Sequence, residues 1–438
     1  MASRDTPNPL SRRRFLQLGG AALGAAAAAP VLAACGSSSS SSSGKTELTF
    51  ASAKFFGKSN IGQIVDQYNS SQTKIHVTYR ELPPPSSSTE VHQQLVQSLG
   101  RGDGSIDVFT QDVIWIAEFA GAGWALPLDQ YVNASEKSQY FPGLIEACTY
   151  NGKLTALPWF VDSGMLYYRK DLLDAAGLQV PTTWDQLVAA AQGLQSSNKV
   201  KYGFLWQGKQ AEVLVCDLVE FVGSAGGRIL GTDGKSVQLG DQQAVQATQF
   251  MYDTMNKLNI SPKDLLSWDE EPSRRPFTAG QAAFLRNWSY VYNIAQDKTE
   301  SQVVDKVGVA PLPAFSGGKS TACLGGYQYG VSASSKHKDA AVEFVKWLSN
   351  PDTQLKFATD VGLAPTRPAV FDRPELAKAN PFMVKLKDVF TGGTPRPVTP
   401  KYPQVSLALQ SGVSKALTSG DVQGSLNSTK SAIERAVS

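Results

Sequence analysis

The sequence predicts an α/β fold with two lobes, and two observations support this prediction. Short runs rich in β-branched and aromatic residues alternate along the chain with segments whose apolar residues recur at helical spacing, without a repeat of fixed period. The chain from Cys35 onward has about 400 residues, whereas a single hydrophobic core stops growing beyond roughly 250–300 residues. Two cores are therefore expected.

The N-terminal segment is typical of an export signal. A twin-arginine pattern, SRRRFL at residues 11–16, precedes an apolar stretch at residues 18–29, and Leu32-Ala33-Ala34-Cys35 has the pattern of a lipobox. A membrane-spanning helix is the alternative, but it needs about twenty strongly apolar residues, and this run is shorter and rich in alanine. We therefore expect cleavage before Cys35, a lipid on its sulfur, and a flexible Ser-rich tether over residues 35–44.

The charge of the mature chain argues against nucleic-acid binding. Removal of residues 1–34 takes away four arginines and one aspartate, so the formal net charge falls from +3 to zero. A neutral chain without a compact cluster of Lys and Arg lacks the electrostatic footprint that nucleic acids require. We expect no nucleic-acid partner.

The cysteines of the mature chain do not form a metal-binding pattern. Cys148, Cys216 and Cys323 show no C-x-x-C spacing, and none of the three histidines is placed as a partner. We expect neither a metal nor a cofactor. In an exported protein one pair of these cysteines could form a disulfide, and the sequence does not choose the pair.

The elements at the start of the mature chain follow from their patterns. Strands are predicted at LTFAS, KIHVTYREL, IDVFTQD and LPWFVDSGMLYYR, and helices at NIGQIVDQYN, VHQQLVQSL, VIWIAEFAGAG, DLLDAAG and TWDQLVAAAQGL. The first helix lies between two strands, which gives a β-α-β beginning. In the last helix, Thr183 and Gln186 have the spacing of a capping box.

Five segments, in order, carry a resemblance to a known family. They are DVIWIAEFAGAGWALPLDQYV, YNGKLTALPWFVDSGMLYYRKDLLDAAGLQVPTTWDQL, AGQAAFLRNWSYVY, VGVAPLP followed by LGGYQYGVSASSKHKDAAVEFVKWLSNPDTQ, and PRPVTPKYPQVSLALQSGVSKAL. Together they resemble the extracellular solute-binding proteins (family 1) of carbohydrate ABC importers, over nearly the whole mature chain. DVIWIAEFA, RNWSY and PRPVTPKY are most similar to the trehalose/maltose-binding branch.

The resemblance implies a periplasmic-binding-protein-like fold, in which two α/β lobes are joined by several hinge crossovers and hold a sugar in the cleft between them. The first lobe would comprise residues 45–160 and 313–375, and the second lobe residues 161–312 and 376–438. The implied protein is a monomer, anchored by lipid to the outer face of the cytoplasmic membrane. It would pass its sugar to the permease subunits of an importer.

Sugar binding requires planar polar groups for hydroxyls and aromatic rings for the C–H faces of a pyranose. The resemblance implies that Asp112, Asp162 and Glu212 accept hydrogen bonds from the ligand. Each has a simpler interpretation: Asp112 as a helix N-cap, Asp162 as half of a hinge salt bridge, and Glu212 as a solvated residue in the first turn of a helix. Ala211 and Val213 replace the Tyr and Gly of the branch pattern, which indicates a reshaped cleft.

Two aromatic residues and one arginine are further candidates for ligand contact. Trp288 and Tyr290 would lie on one face if RNWSYVY is extended, and the polar residues around them favour an exposed ledge over a core. Arg396 lies between Pro395 and Pro397, which stiffen the loop that presents its guanidinium, although a surface charge is the simpler interpretation.

The LGGYQYG segment adds three expected ligand contacts. Gly325 and Gly326 lack side chains, which would let backbone amides approach a ligand, and Tyr327 stands where the branch commonly has Trp. A simple turn is the alternative for the glycine pair.

A secreted glycoside-active enzyme is the alternative function. Such an enzyme needs two positioned carboxylates, and Asp107 with Asp112 or Glu118 could supply them. The chain contains no nucleophile elbow, H-E-x-x-H, P-loop or dinucleotide-binding motif. We therefore predict a binding protein and not an enzyme.

Overall fold

The computed structural model describes residues 44–54, 61–231, 235–387 and 394–438. The predicted signal peptide, the lipidation site at Cys35 and nearly all of the tether lie outside the described residues. Those three predictions therefore rest on the sequence alone.

The described residues form strands in two larger sheets and one short hairpin. In chain order the strands are β1 (Thr46–Ala53), β2 (Ile75–Leu82), β3 (Val108–Asp112), β4 (Thr149–Tyr150), β5 (Lys153–Leu154), β6 (Leu157–Ser163), β7 (Met165–Arg169), β8 (Tyr202–Leu205), β9 (Ala282–Asn287), β10 (Val307–Ala310), β11 (Leu324–Val331) and β12 (Ala364–Pro365).

Helices alternate with the strands and dominate the C-terminal part of the chain. They are α1 (Ile61–Ser71), α2 (Ser88–Gly100), α3 (Ile116–Gly121), α4 (Ala134–Lys137), α5 (Pro142–Ala147), α6 (Lys170–Ala176), α7 (Trp184–Ser196), α8 (Glu212–Ser224), α9 (Gln242–Asn256), α10 (Glu270–Thr278), α11 (Val291–Ala295), α12 (Lys338–Leu348), α13 (Pro351–Lys356), α14 (Pro368–Phe371), α15 (Pro374–Ala379), α16 (Pro381–Lys385), α17 (Tyr402–Ser419) and α18 (Val422–Val437).

The first sheet has the strand order β12-β6-β11-β3-β1-β2. Strand β1 is parallel to β2 and β3, as a β-α-β beginning requires, whereas β11 is antiparallel to both of its neighbours, β3 and β6. A strand from late in the sequence therefore occupies the interior of a sheet that the early strands begin.

The second sheet has the strand order β10-β7-β9-β8. Strand β7 is antiparallel to β10 and β9, and β8 is parallel to β9. Helices α17 and α18 pack against each other, and both pack against α9, so the C-terminal residues join the layer of helices around this sheet.

The chain crosses between the sheets at short connections. A single residue, Gly164, separates β6 of the first sheet from β7 of the second, and residues 311–323 return the chain from β10 to β11. A Cβ atom at Gly164 would lie 1.9 Å from Glu220 Oε1, so this crossing has no room for a side chain. The lobe boundaries given above remain a prediction.

Each sheet has its own hydrophobic core, as expected for a two-lobed α/β fold. Phe50, Phe109 and Trp159 lie in the core of the first sheet, and Trp184 and Leu285 lie in that of the second. The stretches predicted as strands and helices mostly form such elements, and the capping box at Thr183 is confirmed by reciprocal 3.3 Å bonds with Gln186. LPWFVDSGMLYYR forms two strands in different sheets, because Gly164 interrupts it.

Cys148, Cys216 and Cys323 are free thiols and all three are buried. Burial raises the pKa of the Cys148 thiol. A hydrogen bond between Cys216 and Cys323, together with burial, raises the pKa of the Cys216 thiol. The disulfide that the sequence left open is therefore absent from the structure, although two of the thiols are neighbours.

The described residues contain neither a membrane-spanning helix nor a cluster of metal ligands. None of their helices combines the length with the apolar character that a membrane crossing requires. Within the same ranges, no group of three or more His, Cys, Asp or Glu side chains is arranged to hold a metal ion.

Candidate ligand-binding cleft

A cavity of about 110 Å³ is lined by residues of strands β3, β6 and β11 in the first sheet, of helices α8 and α10, and of the turn that follows strand β9 of the second sheet. All nine residues that the sequence proposed for ligand binding line it: Asp112, Asp162, Glu212, Trp288, Tyr290, Gly325, Gly326, Tyr327 and Arg396. They come from positions spread over most of the mature chain, and the fold brings them together. Whether they bind a ligand remains a prediction.

Two carboxylates flank strand β11 of the first sheet. Asp112, at the end of β3, is paired in register with Tyr327, and Asp162, in β6, is paired with Gly325. Gly325, Gly326 and Tyr327 of strand β11 therefore lie between two acids, in the part of the sheet that lines the cavity.

Arg396 joins two of the cavity's carboxylates. Its Nη2 donates to Asp112 Oδ1 at 2.6 Å, and its Nη1 donates to Glu212 Oε1 at 2.9 Å. The side chain is buried, with the residue only 5% exposed. The interpretation of Arg396 as a surface charge is therefore wrong, and its guanidinium fork holds Asp112 and Glu212 in fixed positions.

Glu212 is a buried member of this network. Besides Arg396 it accepts hydrogen bonds from the hydroxyls of Tyr402 and Ser406 on α17, and the residue is 9% exposed. The interpretation of Glu212 as a solvated first-turn residue is therefore wrong. It lies at the first position of α8, where the helix dipole favours a negative charge.

Asp112 has two roles at once. Its Oδ1 accepts the 3.2 Å bond from the backbone N–H of Ile114, which is the N-cap interaction predicted as the simpler interpretation, and it also accepts from Arg396. Burial raises the pKa of the Asp112 carboxyl, although the charge of Arg396 opposes this shift.

Asp162 connects strand β6 to the turn after strand β9 through a hydrogen bond and not through an ion pair. Its Oδ1 accepts from the backbone N–H of its neighbour Ser163 at 2.8 Å and from that of Ser289 at 3.0 Å. Burial raises the pKa of Asp162 to about 6, although both amides oppose the shift. The hinge salt bridge is therefore wrong for the described residues, and the carboxylate instead fixes the turn that follows β9.

Trp288 and Tyr290 line the cavity from that turn. Strand β9 ends at Asn287, so the extended conformation that would have placed both rings on one face is wrong. The Arg286 guanidinium lies 4.3 Å from the centre of the Trp288 ring, and the Tyr290 hydroxyl donates to Glu271 Oε1 at 2.9 Å. Both rings are only partly buried.

The support beneath Trp288 is a buried ionic cluster. The Arg286 guanidinium lies 2.6 Å from Glu220 Oε1 and 2.9 Å from Asp217 Oδ1, and its Nη1 donates to Gln207 at 3.1 Å. Because all of its charged members are buried and paired, the cluster fixes the arginine on which the Trp288 ring rests.

The glycine pair lies inside strand β11, so the simple turn is wrong as an interpretation. A Cβ at Gly325 would lie 3.0 Å from Cζ3 of Trp288. Gly326 has a φ of +112°, and a Cβ there would lie 2.3 Å from the carbonyl oxygen of Phe160. The adjacent Tyr327 ring stacks on Phe160, with ring centres 5.9 Å apart and planes 13° apart.

Sequence reasoning missed several residues of the cavity wall. Pro85, Ser86 and Ser88 come from a proline- and serine-rich stretch that gave no binding signal. Glu270 and Cys216 lie on helices, where a single acid or thiol is not distinguishable from the rest of a helix surface. Only the contact between Glu270 and Trp288 in the folded structure identifies Glu270, and the sequence carries no signal for it.

The chain shows similarity to known proteins over most of its length. Residues 58–355 match the sequence model of the family described as "Bacterial extracellular solute-binding protein". The chain belongs to this family of solute-binding proteins. The prediction of the family from sequence is thus confirmed, and with it the prediction of a binding protein in place of an enzyme.

Individual relatives agree with the family. A "probable ABC transporter-binding protein" of Deinococcus radiodurans is 37% identical over 75% of this chain and 79% of its own length. The solved structure described as "Maltose bound T. maritima MalE3" is 37% identical, with a TM-score of 0.83, covering 88% of this solute-binding protein and 98% of that chain. The GacH receptor of Streptomyces glaucescens, 24% identical with a TM-score of 0.77 over 90% and 98% of the two chains, shares the fold.

Proposed function

We propose that this solute-binding protein is a lipid-anchored receptor that binds a disaccharide or short oligosaccharide of the maltose/trehalose type and delivers it to the permease of an ABC importer. The observation that carries the proposal is the lining of a single cavity by acidic, guanidinium and aromatic side chains from the first sheet, from helices α8 and α10 and from the turn after β9. Similarity to a structure described as maltose-bound supports the choice of sugar.

The chemistry of the cavity suits a sugar. Hydroxyl groups both donate and accept hydrogen bonds, and carboxylates with a guanidinium offer acceptors and donors in fixed planes. Trp288, Tyr290 and Tyr327 offer flat rings for the C–H faces of pyranose units. The walls therefore present the two kinds of contact that distinguish a sugar from a purely apolar or purely ionic ligand.

Delivery is proposed to depend on closure of the cleft. A ligand that contacts residues of both lobes binds the closed state more tightly than the open state and shifts the population towards it. The permease would then recognise the closed shape. In this scheme the protein is a monomer, the lipid at Cys35 keeps it at the outer face of the cytoplasmic membrane, and the Ser-rich tether lets it reach the permease.

Calorimetric titration of the purified protein with glucose, maltose, trehalose and maltotriose tests the proposal. We expect saturable binding of a disaccharide or maltotriose, tighter than that of glucose, with a change in tryptophan fluorescence and chemically intact sugar after long incubation. Absence of binding to every sugar of the panel would contradict the proposed function. Hydrolysis of a glycoside would favour the enzyme alternative.

Substitutions in the cavity test the placement of the site. Asp112→Ala, Asp162→Ala and Arg396→Ala should each lower the affinity for the best sugar about tenfold or more, since a charge-assisted hydrogen bond in a desolvated site contributes about 1.5–3 kcal/mol. Asp352→Ala, an exposed residue outside the cavity, is the matched control. Parent-like affinity in two of the three variants, with folding verified by circular dichroism, would mean that the site is misplaced.

A further inference from the structure

Glu270 is an acidic residue of the cavity wall that none of the roles above uses. It begins helix α10, and its side chain lines the cavity beside Trp288. Its Oε1 accepts a 3.4 Å hydrogen bond from Trp288 Nε1. Its Oε2 is buried and has no hydrogen-bond partner in the described part of the chain.

The backbone of Glu270 is held in place beside the turn that carries Trp288. The Glu270 carbonyl oxygen accepts from Asn287 Nδ2 at 3.1 Å and from the Ser273 hydroxyl at 3.0 Å. Asn287 is the last residue of β9 and directly precedes Trp288. The start of α10 is thereby hydrogen-bonded to the turn that carries the Trp288 ring. Glu270 and Trp288 are thus held next to each other.

The other three carboxylates of the cavity have partners for their charge. Asp112 and Glu212 share the guanidinium of Arg396, and Asp162 accepts two backbone amides. The Glu270 carboxyl has the long bond from Trp288 and a bond from its own backbone amide, and burial raises its pKa although these bonds and the charge of Arg286 oppose the shift. Its Oε2 is the buried atom that lacks a hydrogen-bond partner among the described residues. A buried acceptor without a partner is unfavourable by the cost of its lost hydration, and a donor brought by a ligand would remove that cost.

We propose that Glu270 is a further ligand-binding residue, whose Oε2 accepts a hydrogen bond from one hydroxyl of the sugar unit that lies against Trp288. This inference rests on the proposed function, since it assumes a sugar in the cavity. The bond selects for a hydroxyl at one position of that unit, because a sugar lacking it leaves Oε2 buried and unpaired.

Deoxy sugars identify the contact. The best sugar of the panel and its monodeoxy analogues are titrated into the parent, Glu270→Ala and Glu270→Gln. In the parent, loss of one particular hydroxyl should lower affinity about tenfold or more. In Glu270→Ala, the intact sugar and that one analogue should bind equally, whereas discrimination at the other hydroxyls should persist. Glu270→Gln keeps an acceptor oxygen and should retain a weaker preference for the same hydroxyl.

This design separates the contact from indirect effects. Displacement of Trp288 would weaken all analogues alike and would not abolish discrimination at one position. Asp269→Asn is the matched control, since it removes a neighbouring negative charge that pairs with Lys209 and does not line the cavity. It should discriminate among the analogues as the parent does.

Two outcomes overturn the inference, and they are distinguishable. If the parent binds a sugar but Glu270→Ala binds it as tightly, or still discriminates at every hydroxyl, Glu270 makes no such contact and the proposed function stands. If the parent binds no sugar, the proposed function fails and the inference fails with it.

Discussion

Arg396 and Asp112 form a 2.6 Å ion pair that connects the segment before α17 to the end of strand β3. The same guanidinium reaches Glu212 at the start of α8, so one side chain fixes three distant parts of the chain around the cavity. Residues that we propose for sugar binding thus also hold each other in place without a ligand, which would reduce the ordering cost of binding.

Arg396→Lys should destabilise the protein although it keeps the charge. A lysine ammonium is a single point charge and cannot reproduce a fork that donates to Asp112 and Glu212 through separate nitrogens. Loss of one charge-assisted bond in a buried site should lower the free energy of unfolding by about 1.5–3 kcal/mol, measured by urea denaturation.

Arg373→Lys is the control for this change. Arg373 pairs with Asp352 and Glu375 on the surface, where all three side chains contact solvent. Its replacement should leave the denaturation midpoint unchanged, because exposed ion pairs contribute little. Equal midpoints for Arg396→Lys and the parent would contradict a structural role for the fork.

Asp162→Asn should change how stability depends on pH. Burial raises the pKa of Asp162 from its usual 3.8 to about 6, so between these values the folded protein holds a proton that the unfolded chain has released. The resulting stabilisation is fully present below about pH 4 and is lost as pH rises through 6, a change of about 2–3 kcal/mol. The variant lacks this titration. The unfolding free energy of the parent minus that of the variant should therefore decrease as pH rises from about 4 to above 6. A difference that stays constant over this range would contradict the raised pKa of Asp162.

Gly325→Ala and Gly326→Ala should have different effects despite being neighbours. At Gly326 the φ of +112° and the Phe160 carbonyl oxygen oppose a side chain, so alanine should cost about 1–3 kcal/mol of stability. At Gly325 the obstacle is the Trp288 ring, so alanine should lower sugar affinity with a smaller loss of stability. Thermal unfolding and calorimetry on both variants distinguish the two effects, and the reverse pattern would contradict the geometry.

Cys35→Ala tests the lipid anchor. Removal of the sulfur that accepts the lipid should release soluble or unprocessed protein and abolish metabolic labelling with a radioactive fatty acid. Cys148→Ala, a buried residue of the folded domain, is the matched control and should leave the labelling intact. Unchanged membrane retention and labelling in Cys35→Ala would contradict the lipobox.

Local patterns were sufficient for much of the fold. The capping box at Thr183 and the β-α-β beginning involve residues close in sequence, so spacing alone predicts them. The division of LPWFVDSGMLYYR between two sheets could not be predicted in this way. The two strands are separated by Gly164, where Glu220, a residue distant in sequence, leaves no room for a side chain.

Nine residues of the cavity wall were predictable from the sequence, but the hydrogen bonds and ion pairs among them were not. The resemblance supplied the nine residues, yet the simpler interpretations of Glu212 and Arg396 failed because the two side chains are buried against each other. Pairing between residues so far apart has no periodic signature. Glu270 could not be predicted as a cavity residue for the same reason, because only its contact with Trp288 in the folded structure identifies it.

The interior position of β11 in the first sheet constrains when this sheet can fold during synthesis. On the ribosome, β1, β2, β3 and β6 emerge early, but the strand that joins β3 to β6 is residues Leu324–Val331, which follow every strand of the second sheet. Until then the first sheet cannot be continuous, because β3 and β6 lack the strand that lies between them. Truncated nascent chains ending before Leu324 cannot complete it, so final folding of this lobe is postponed until most of the polypeptide has been synthesised.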